Sequence, residues 1–532
     1  MRKFIPIILI LIAIRIYALQ FPALLDPTEA RYAAISQRMV QTNQWLVPEI
    51  DRGDGYIPFW GKPPLHFWAV AASFKLLGFN EIAARLPSLI AALGACALAS
   101  YVAYILFGST VAALTSLILI STPVFNIFFG ICLIDTTLSL FVAAAFACFA
   151  TFVRKTEEQI KTYSDLLFFC SLSFGFMTKG PVALVLVLLP ITIWSFYRKE
   201  FSIIKNLRWV VGCIIFILIV SPWFIVAENK TPGLIHYFFI NENLLRFISP
   251  DYQDLYGSSH RTFRGAIALL LCVTFLPWIF TFTSLRRAWI GMSDYTRKWL
   301  MFCLLWGLGP VIFFSVSNNV IATYLLPGFA GLSIACAVLV SETNWHKVFT
   351  KFITKPLSVV FILLCLGLLI TSKDTNAPSE VASSIPVLLV IALFYLIPIS
   401  QTKISIITKQ AYILYSVTLL VLISVSGMLS DKLSTKTMLV LMGEHARNTE
   451  IHFHDKLPYS AQFYSYRNRD DNTLLELLDD NQIATHGELI LKRKSKSSEL
   501  KLLDQFPNFQ TDTWVSIDID NTKDSKKNLN KK

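Results

Sequence analysis

Apolar runs of about 20 residues, the length a helix needs to cross a bilayer, recur along this chain between short polar stretches. Roughly thirteen can be placed before residue 430, beginning near residues 4, 82, 110, 132, 164, 181, 209, 265, 299, 324, 355, 385 and 410. The pattern predicts a polytopic α-helical membrane body over residues 1–430, with one long polar interruption at about residues 20–81. After residue 430 the rhythm changes. TEIHFHDK and AQFYSYR alternate polar and apolar positions, TLLELLDD has a helix-like acidic run, and GELILKRK and TWVSIDID return to strand-like alternation. A small α/β domain over residues 431–520 is expected, followed by a basic, disordered end at 521–532. No internal repeat of the kind that marks many transporters stands out.

Composition agrees with the pattern. The chain is 54% hydrophobic and 15% charged, with 41 Phe and a mean hydropathy of +0.56, outside the balance of a soluble protein. Lys and Arg in short loops set orientation. With Arg2 and Lys3 inside, the loops carrying Arg154, Lys155 and Lys161, then Arg198, Lys199, Lys205 and Arg208, then Arg286, Arg287, Arg297 and Lys298, also fall inside. The loops with Lys347, Lys351 and Lys355, and with Lys403 and Lys409, do the same. The 26–68 loop, the 228–262 stretch, SNNVIATY at 317–324 and the region after 430 then fall outside. The net charge of +12 needs no nucleic-acid partner, because this bias and the KDSKKNLNKK end supply much of it. All nine cysteines sit in or near apolar runs, so no disulfide framework or metal cluster is implied. The first run lacks a small-residue cleavage site and is expected to be a retained helix.

Ionisable residues crowd the stretch from Asp26 to Trp68, and charge at a membrane edge is a reason to look for chemistry. Asp26-Pro27-Thr28-Glu29 reads as a capping box, with Asp at the N-cap, Pro at the first helical position and Glu at the third. The helix it opens has Tyr32, Ile35, Met39 and Val40 on one side and Arg31 and Arg38 on another, and is expected to lie along the membrane surface. Capping leaves room for function, since it would fix two carboxylates at a cavity mouth. Lys62 stands before Pro63 and Pro64, which restrict the backbone and hold the ammonium in place. Such a cation suits a phosphate headgroup, and its bland counterpart is a snorkelling surface lysine. Arg85 faces either the cavity or lipid headgroups. Asp135, Lys179 in MTKGP, and Glu242, Asn243 and Arg246 in FFINENLLRF are further outer-face candidates. Asp135 alone reads as a helix-opening dipole partner, whereas Lys179 stands between two apolar runs. His236 and His260 lack a neighbouring ligand and earn no metal assignment.

The run DPTEARYAAI…FWGKPPLHFWAVAASFKLLGFNEIAARLPS resembles the first outer loop and second helix of the polyprenyl-phosphate-sugar glycosyltransferases. That family includes the bacterial 4-amino-4-deoxy-L-arabinose lipid A transferases and the protein O-mannosyltransferases, and the likeness is closest to the arabinose-transferase branch. It continues through TKGPVALVL, SPWFIVAENKTPGLIHYFFINENLLRF and Tyr324-Leu325-Leu326-Pro327 to KLPYSAQFY. The resemblance implies a GT-C membrane fold in the bacterial inner membrane, an active site and C-terminal domain on the periplasmic face, and a sugar donor carried on undecaprenyl phosphate. Carried over by position, Asp26 and Glu29 fall in the acidic catalytic motif, Lys62 meets a phosphate, and Arg85 and Arg246 join it. Arg31, Tyr32, Asp135, Lys179, Glu242 and Tyr324 remain cavity candidates.

Departures from the family pattern also inform. Thr28 stands where relatives often have an acid, Gly61 likewise, Asn243 where they have His, and Asn318 and Asn319 where a lysine is common. Losing Gly61 and Asn243 as ligands implies that no divalent metal is required. A hydroxyl acceptor needs a base, worth roughly 10²–10⁴-fold, whereas a phosphate acceptor arrives ionised. The missing acid at Thr28 therefore favours a lipid A phosphate as acceptor, with inversion at the anomeric carbon. The family likeness implies an amino sugar as the transferred group. Transfer to protein hydroxyls or to a lipid-linked glycan is the competing enzyme reading. A transporter or flippase is the competing class, and it would place charges deep in several helices.

Overall fold

The computed structural model describes residues 13, 15–52, 55–155, 157–249, 252, 255, 262–343, 403–442, 451–454, 457–467, 475–478, 489–493 and 514–518. Its contacts divide the chain into two compact units. The first comprises residues 1–19, 60–66 and 85–424, and the second residues 20–59, 67–84 and 425–532. The polar loop after the first apolar run is thus grouped with the C-terminal region.

Among the described residues six helices are long and apolar enough to cross a membrane: Glu81–Phe107, Ile134–Arg154, Pro181–Arg198, Trp209–Lys230, Asp294–Phe314 and Ala322–Glu342. The protein is a multi-pass membrane protein. Expected runs near 355 and 385, and most of the run near 4, lie outside the described residues. Two other runs differ from the expected single helices. The run near 265 forms Ala266–Thr274 and Trp278–Gly291, bent by 102°; Pro277 between them offers no N–H and drives the preceding residue from helical geometry. The run near 110 stops at Ser121, and Pro123 opens a separate helix, Pro123–Phe128.

Aromatic packing holds the first unit together. Phe146 stacks on Trp306 at 4.5 Å, Phe149 on Phe302 at 5.9 Å and Trp194 on Trp299 at 5.5 Å. Each buried indole N–H needs an acceptor, and Trp194 and Trp306 donate to the carbonyls of Lys298 and Pro327. Gly307 and Gly328 let the Asp294–Phe314 and Leu326–Glu342 helices meet backbone to backbone. A Cβ on Gly328 would stand 2.4 Å from the Gly307 carbonyl oxygen, the close approach small residues allow between membrane helices.

In the second unit the helix Thr28–Thr42 packs beside an antiparallel hairpin, β1 (Glu49–Asp51) with β2 (Tyr56–Pro58). The expected surface helix is in fact enclosed. Glu29, Arg31, Ser36 and Gln37 are buried along with Tyr32, Ile35 and Met39. Periodicity gave the helix correctly, but it could not report that aromatic rings cover the polar side. Arg31 lies 5.8 Å from the Phe59 ring centre and 5.7 Å from that of Tyr459.

Residues after 450 form a four-stranded sheet ordered β4-β3-β5-β6, with β3 (Ile451–His454), β4 (Leu475–Leu478), β5 (Leu489–Arg493) and β6 (Trp514–Asp518). β3 runs parallel to β4 and β5, and β6 runs antiparallel to β5. GELILKRK and TWVSIDID therefore contain strands as read. AQFYSYR instead lies in the helix Tyr459–Arg467, and TLLELLDD contains strand β4. One reason covers both: parallel β3 and β4 require a crossover, and the helix between them provides it.

Candidate active site

The first unit contains an open cleft of about 450 Å³, a volume that includes open solvent. It is lined by Lys62, Lys179, Glu242, Arg246 and Tyr324 together with Asn243, Asn319, Ser317, Val182, Phe247 and Phe314. Three separate segments supply its charged groups, and local sequence explains how each is aimed.

Lys62 precedes Pro63-Pro64 and the helix Leu65–Leu77, so its backbone is stiff where the side chain departs. Its Nζ donates to the Gly61 carbonyl at 2.7 Å and to Glu242 Oε1. Burial lowers the Lys62 ammonium to about 8, against the pull of Glu242 and with the push of Arg246. Lys179 is the last residue of the helix Glu158–Lys179. Gly180, at φ +75°, reverses the chain there and Pro181 starts the next helix. The Lys-Gly-Pro run thus combines a helix stop and a helix start, presenting the lysine at the turn.

Lys179 Nζ binds Asp135 Oδ1, and Thr323 Oγ1 donates to the other Asp135 oxygen at 2.8 Å. Lys179 also stands 4.0 Å from the centre of the Tyr324 ring, a cation–π contact. Asp135 therefore orients the lysine, more than the dipole-partner reading implied. Glu242 comes from an unusual element, a π-helix over Tyr237–Leu245, and Arg246 is the residue that follows it. Such wide turns occur at functional sites. Arg246 Nη1 donates to Glu242 Oε1 at 2.6 Å, so one carboxylate oxygen serves two cations. The other, Glu242 Oε2, is buried without a hydrogen-bond partner. Phe247, Phe314 and Tyr324 form an aromatic wall, with Phe314 and Tyr324 at 4.7 Å.

The structure brings together Lys62, Lys179, Glu242, Arg246 and Tyr324, with Asp135 directly behind Lys179. Other candidates go elsewhere. Arg85 is fully buried and donates to the Leu19 carbonyl at 2.7 Å, and it is not among the cleft-lining residues. Asp26, Glu29, Arg31 and Tyr32 belong to the second unit. Asp26 accepts from the Ser460 backbone N–H at 3.0 Å and from the Ser460 hydroxyl. It does not cap the Thr28 helix, whose N-cap is Pro27. Glu29 reaches back to the Leu25 N–H at 3.1 Å, two residues before the N-cap. In this structure the oxygens of Asp26 and Glu29 accept local hydrogen bonds within the second unit.

The motif reading overlooked Thr323, Ser317, Phe247 and Phe314. Thr323 could have been found, since it adjoins Tyr324 in a polar interruption between apolar runs; the phenylalanines had no signal among 41 of their kind. His66 was also overlooked. It is buried, with Nδ1 2.9 Å from Thr137 Oγ1 and Nε2 3.7 Å from Cys132 Sγ, and it ties the Lys62 segment to the helix bearing Asp135. Among the described residues no three His, Cys, Asp or Glu side chains converge as metal ligands.

A cleft lined by three cations on a multi-pass helical body offers groups suited to an anion. Comparison with known proteins sharpens that reading. Residues 4–238 match the family described as dolichyl-phosphate-mannose-protein mannosyltransferase. The undecaprenyl phosphate-alpha-4-amino-4-deoxy-L-arabinose arabinosyl transferase of Yersinia enterocolitica is 29% identical over 64% of this chain and 60% of its own length. Its counterpart from Shewanella sediminis is 30% identical over 59% of this chain and 55% of its own. The chain thus spans about three fifths of the length of the curated relatives it matches. In structure it is similar to ArnT from Cupriavidus metallidurans, crystallised with undecaprenyl phosphate, with a TM-score of 0.73 at 18% identity over 92% of this chain and 93% of that one. The chain has the GT-C fold of ArnT, and in sequence it is similar to the arabinosyl transferases and, over residues 4–238, to the protein mannosyltransferases.

Proposed function

We propose that this chain is a glycosyltransferase that takes a sugar, an amino sugar such as 4-amino-4-deoxy-L-arabinose, from undecaprenyl phosphate and transfers it to a lipid A phosphate. The observation that carries the reading is the charge of the cleft. Among the described residues Lys62, Lys179 and Arg246 face Glu242 and Asp135, three cations against two carboxylates. A sugar phosphodiester brings one negative charge, so donor and cleft match. The relatives named for this donor, and the ArnT crystal structure with its lipid phosphate, support the same chemistry.

In this mechanism the bond between the anomeric carbon and the carrier phosphate oxygen breaks, and its electron pair stays on that oxygen. Lys62 and Arg246 stabilise the charge that grows there, a preorganised electrostatic effect of the kind that often dominates catalysis. An acceptor phosphate oxygen attacks from the opposite face, so the anomeric centre inverts. The acceptor is already ionised and needs no base, consistent with Asp26 and Glu29 being committed to local hydrogen bonds. No divalent metal is assigned, because the three side-chain cations cover the phosphate charge. Inside-positive loops support a periplasmic site in the bacterial inner membrane.

The test is transfer by purified protein in liposomes, with lipid A as acceptor and a panel of undecaprenyl-phosphate sugars as donors. A mass increase of lipid A equal to one sugar residue is expected, largest with the amino sugar. Absence of transfer from every donor, or transfer to protein hydroxyls or a lipid-linked glycan instead, overturns the reading.

A further inference from the structure

The state of Glu242 in the cleft raises a problem for turnover. Its Oε1 accepts from both Lys62 and Arg246, the two cations assigned to the donor phosphate. Its Oε2 is buried without a partner, and its side chain is only 4% exposed. No neutral donor from the scaffold secures this carboxylate among the described residues; the cations alone hold it. Asp135 is different, since Thr323 and Lys179 use both of its oxygens. A carboxylate so placed occupies the position an incoming phosphate oxygen would take.

Charge also changes across the reaction. The donor phosphodiester carries one negative charge, and after the sugar leaves the carrier phosphate carries close to two. Cations that hold the donor hold that product more tightly, so product release is the step that needs help.

We propose that Glu242 is an exchanging counter-ion: it yields Lys62 and Arg246 to the donor phosphate and returns to them to expel the lipid phosphate after transfer. This rests on the reading of the cleft as a polyprenyl-phosphate site. Binding exchanges one set of anionic oxygens for another, so no extra cation is stranded in either state. A partnerless Oε2 lets the carboxylate leave without breaking a second anchor. Glu242 lies in the π-helical turn and Arg246 directly follows it, so the two side chains have a shared support.

The experiment measures binding of undecaprenyl phosphate to the full chain in nanodiscs at pH 6.5, for wild type, E242Q, E242A and K62A, with donor KM and kcat alongside. Removing the competing charge should tighten undecaprenyl phosphate binding by about tenfold, equivalent to about 1.4 kcal/mol, in both Glu242 variants. The donor KM should fall with it, and kcat should fall as release slows. Unchanged or weaker binding in both Glu242 variants, while K62A loses binding, would overturn the counter-ion role and make Glu242 an orienting group. Full binding by K62A would instead overturn the phosphate-site reading beneath it.

Discussion

Two carboxylates, Asp26 in the second unit and Glu242 in the first, show how a scaffold differs from a site. Among the described residues Asp26 accepts from neutral donors, the Ser460 N–H and hydroxyl, and that hydroxyl also accepts from the Thr435 N–H at 3.0 Å. Glu242 has one oxygen crowded by two cations and the other empty. Evenly satisfied buried polar groups hold a fold in place. An uneven arrangement is costly to keep and stands ready for a ligand. The difference teaches that acidity in a motif locates neither role; the partners do.

The comparison breaks first at Lys62. Replacing it with Ala should lower sugar transfer by about 10²–10³-fold, the scale of losing one charge-stabilising group, as read by radiolabelled transfer in liposomes. Retained activity would remove the distinction between the two regions. Next comes pH. Lys62 loses its charge as pH rises through about 8, while phosphate binding favours the charged form. Affinity for undecaprenyl phosphate should therefore be full below that value and fall toward tenfold per unit above it, up to the raised pKa of the bound complex. A flat binding profile from pH 7 to 10 would contradict the buried ammonium.

On the scaffold side, Ser460→Ala removes the hydroxyl used by Asp26 and Thr435. It should cost about 1–3 kcal/mol of stability, seen as a lower unfolding midpoint in detergent, with transfer per folded molecule unchanged. A large loss of activity at unchanged stability would move Asp26 back toward the chemistry. The smallest expected effect is that of chelation: EDTA should leave transfer unaltered, and loss restored by a divalent ion would add a ligand set to the cleft.

Much of the cleft was legible residue by residue. Lys62 before two prolines and Lys179 in Lys-Gly-Pro announced rigid cations, and Glu242 and Arg246 stood out as ionisable groups in an apolar stretch. Arg85 was misread because a buried arginine that donates to a backbone carbonyl has the same local sequence as one that lines a cavity. The partners of Asp26 and of Asp135 were equally hidden from the sequence. A helix-opening acid looks alike whether its partner is Ser460 or Lys179, and both partners are distant in the chain.

The sequence by itself determined the membrane body, the stiff cationic turns and the strands near the C-terminal end, since these depend on periodicity, proline geometry and turn chemistry within a few residues. Only the tertiary structure decided which acid meets which cation, that the Thr28–Thr42 helix is enclosed, and that one oxygen of Glu242 is left without a partner. Those outcomes follow from contacts between segments 40 to more than 400 residues apart. Short-range preference carries no record of such contacts, because packing and charge pairing are settled when the segments meet.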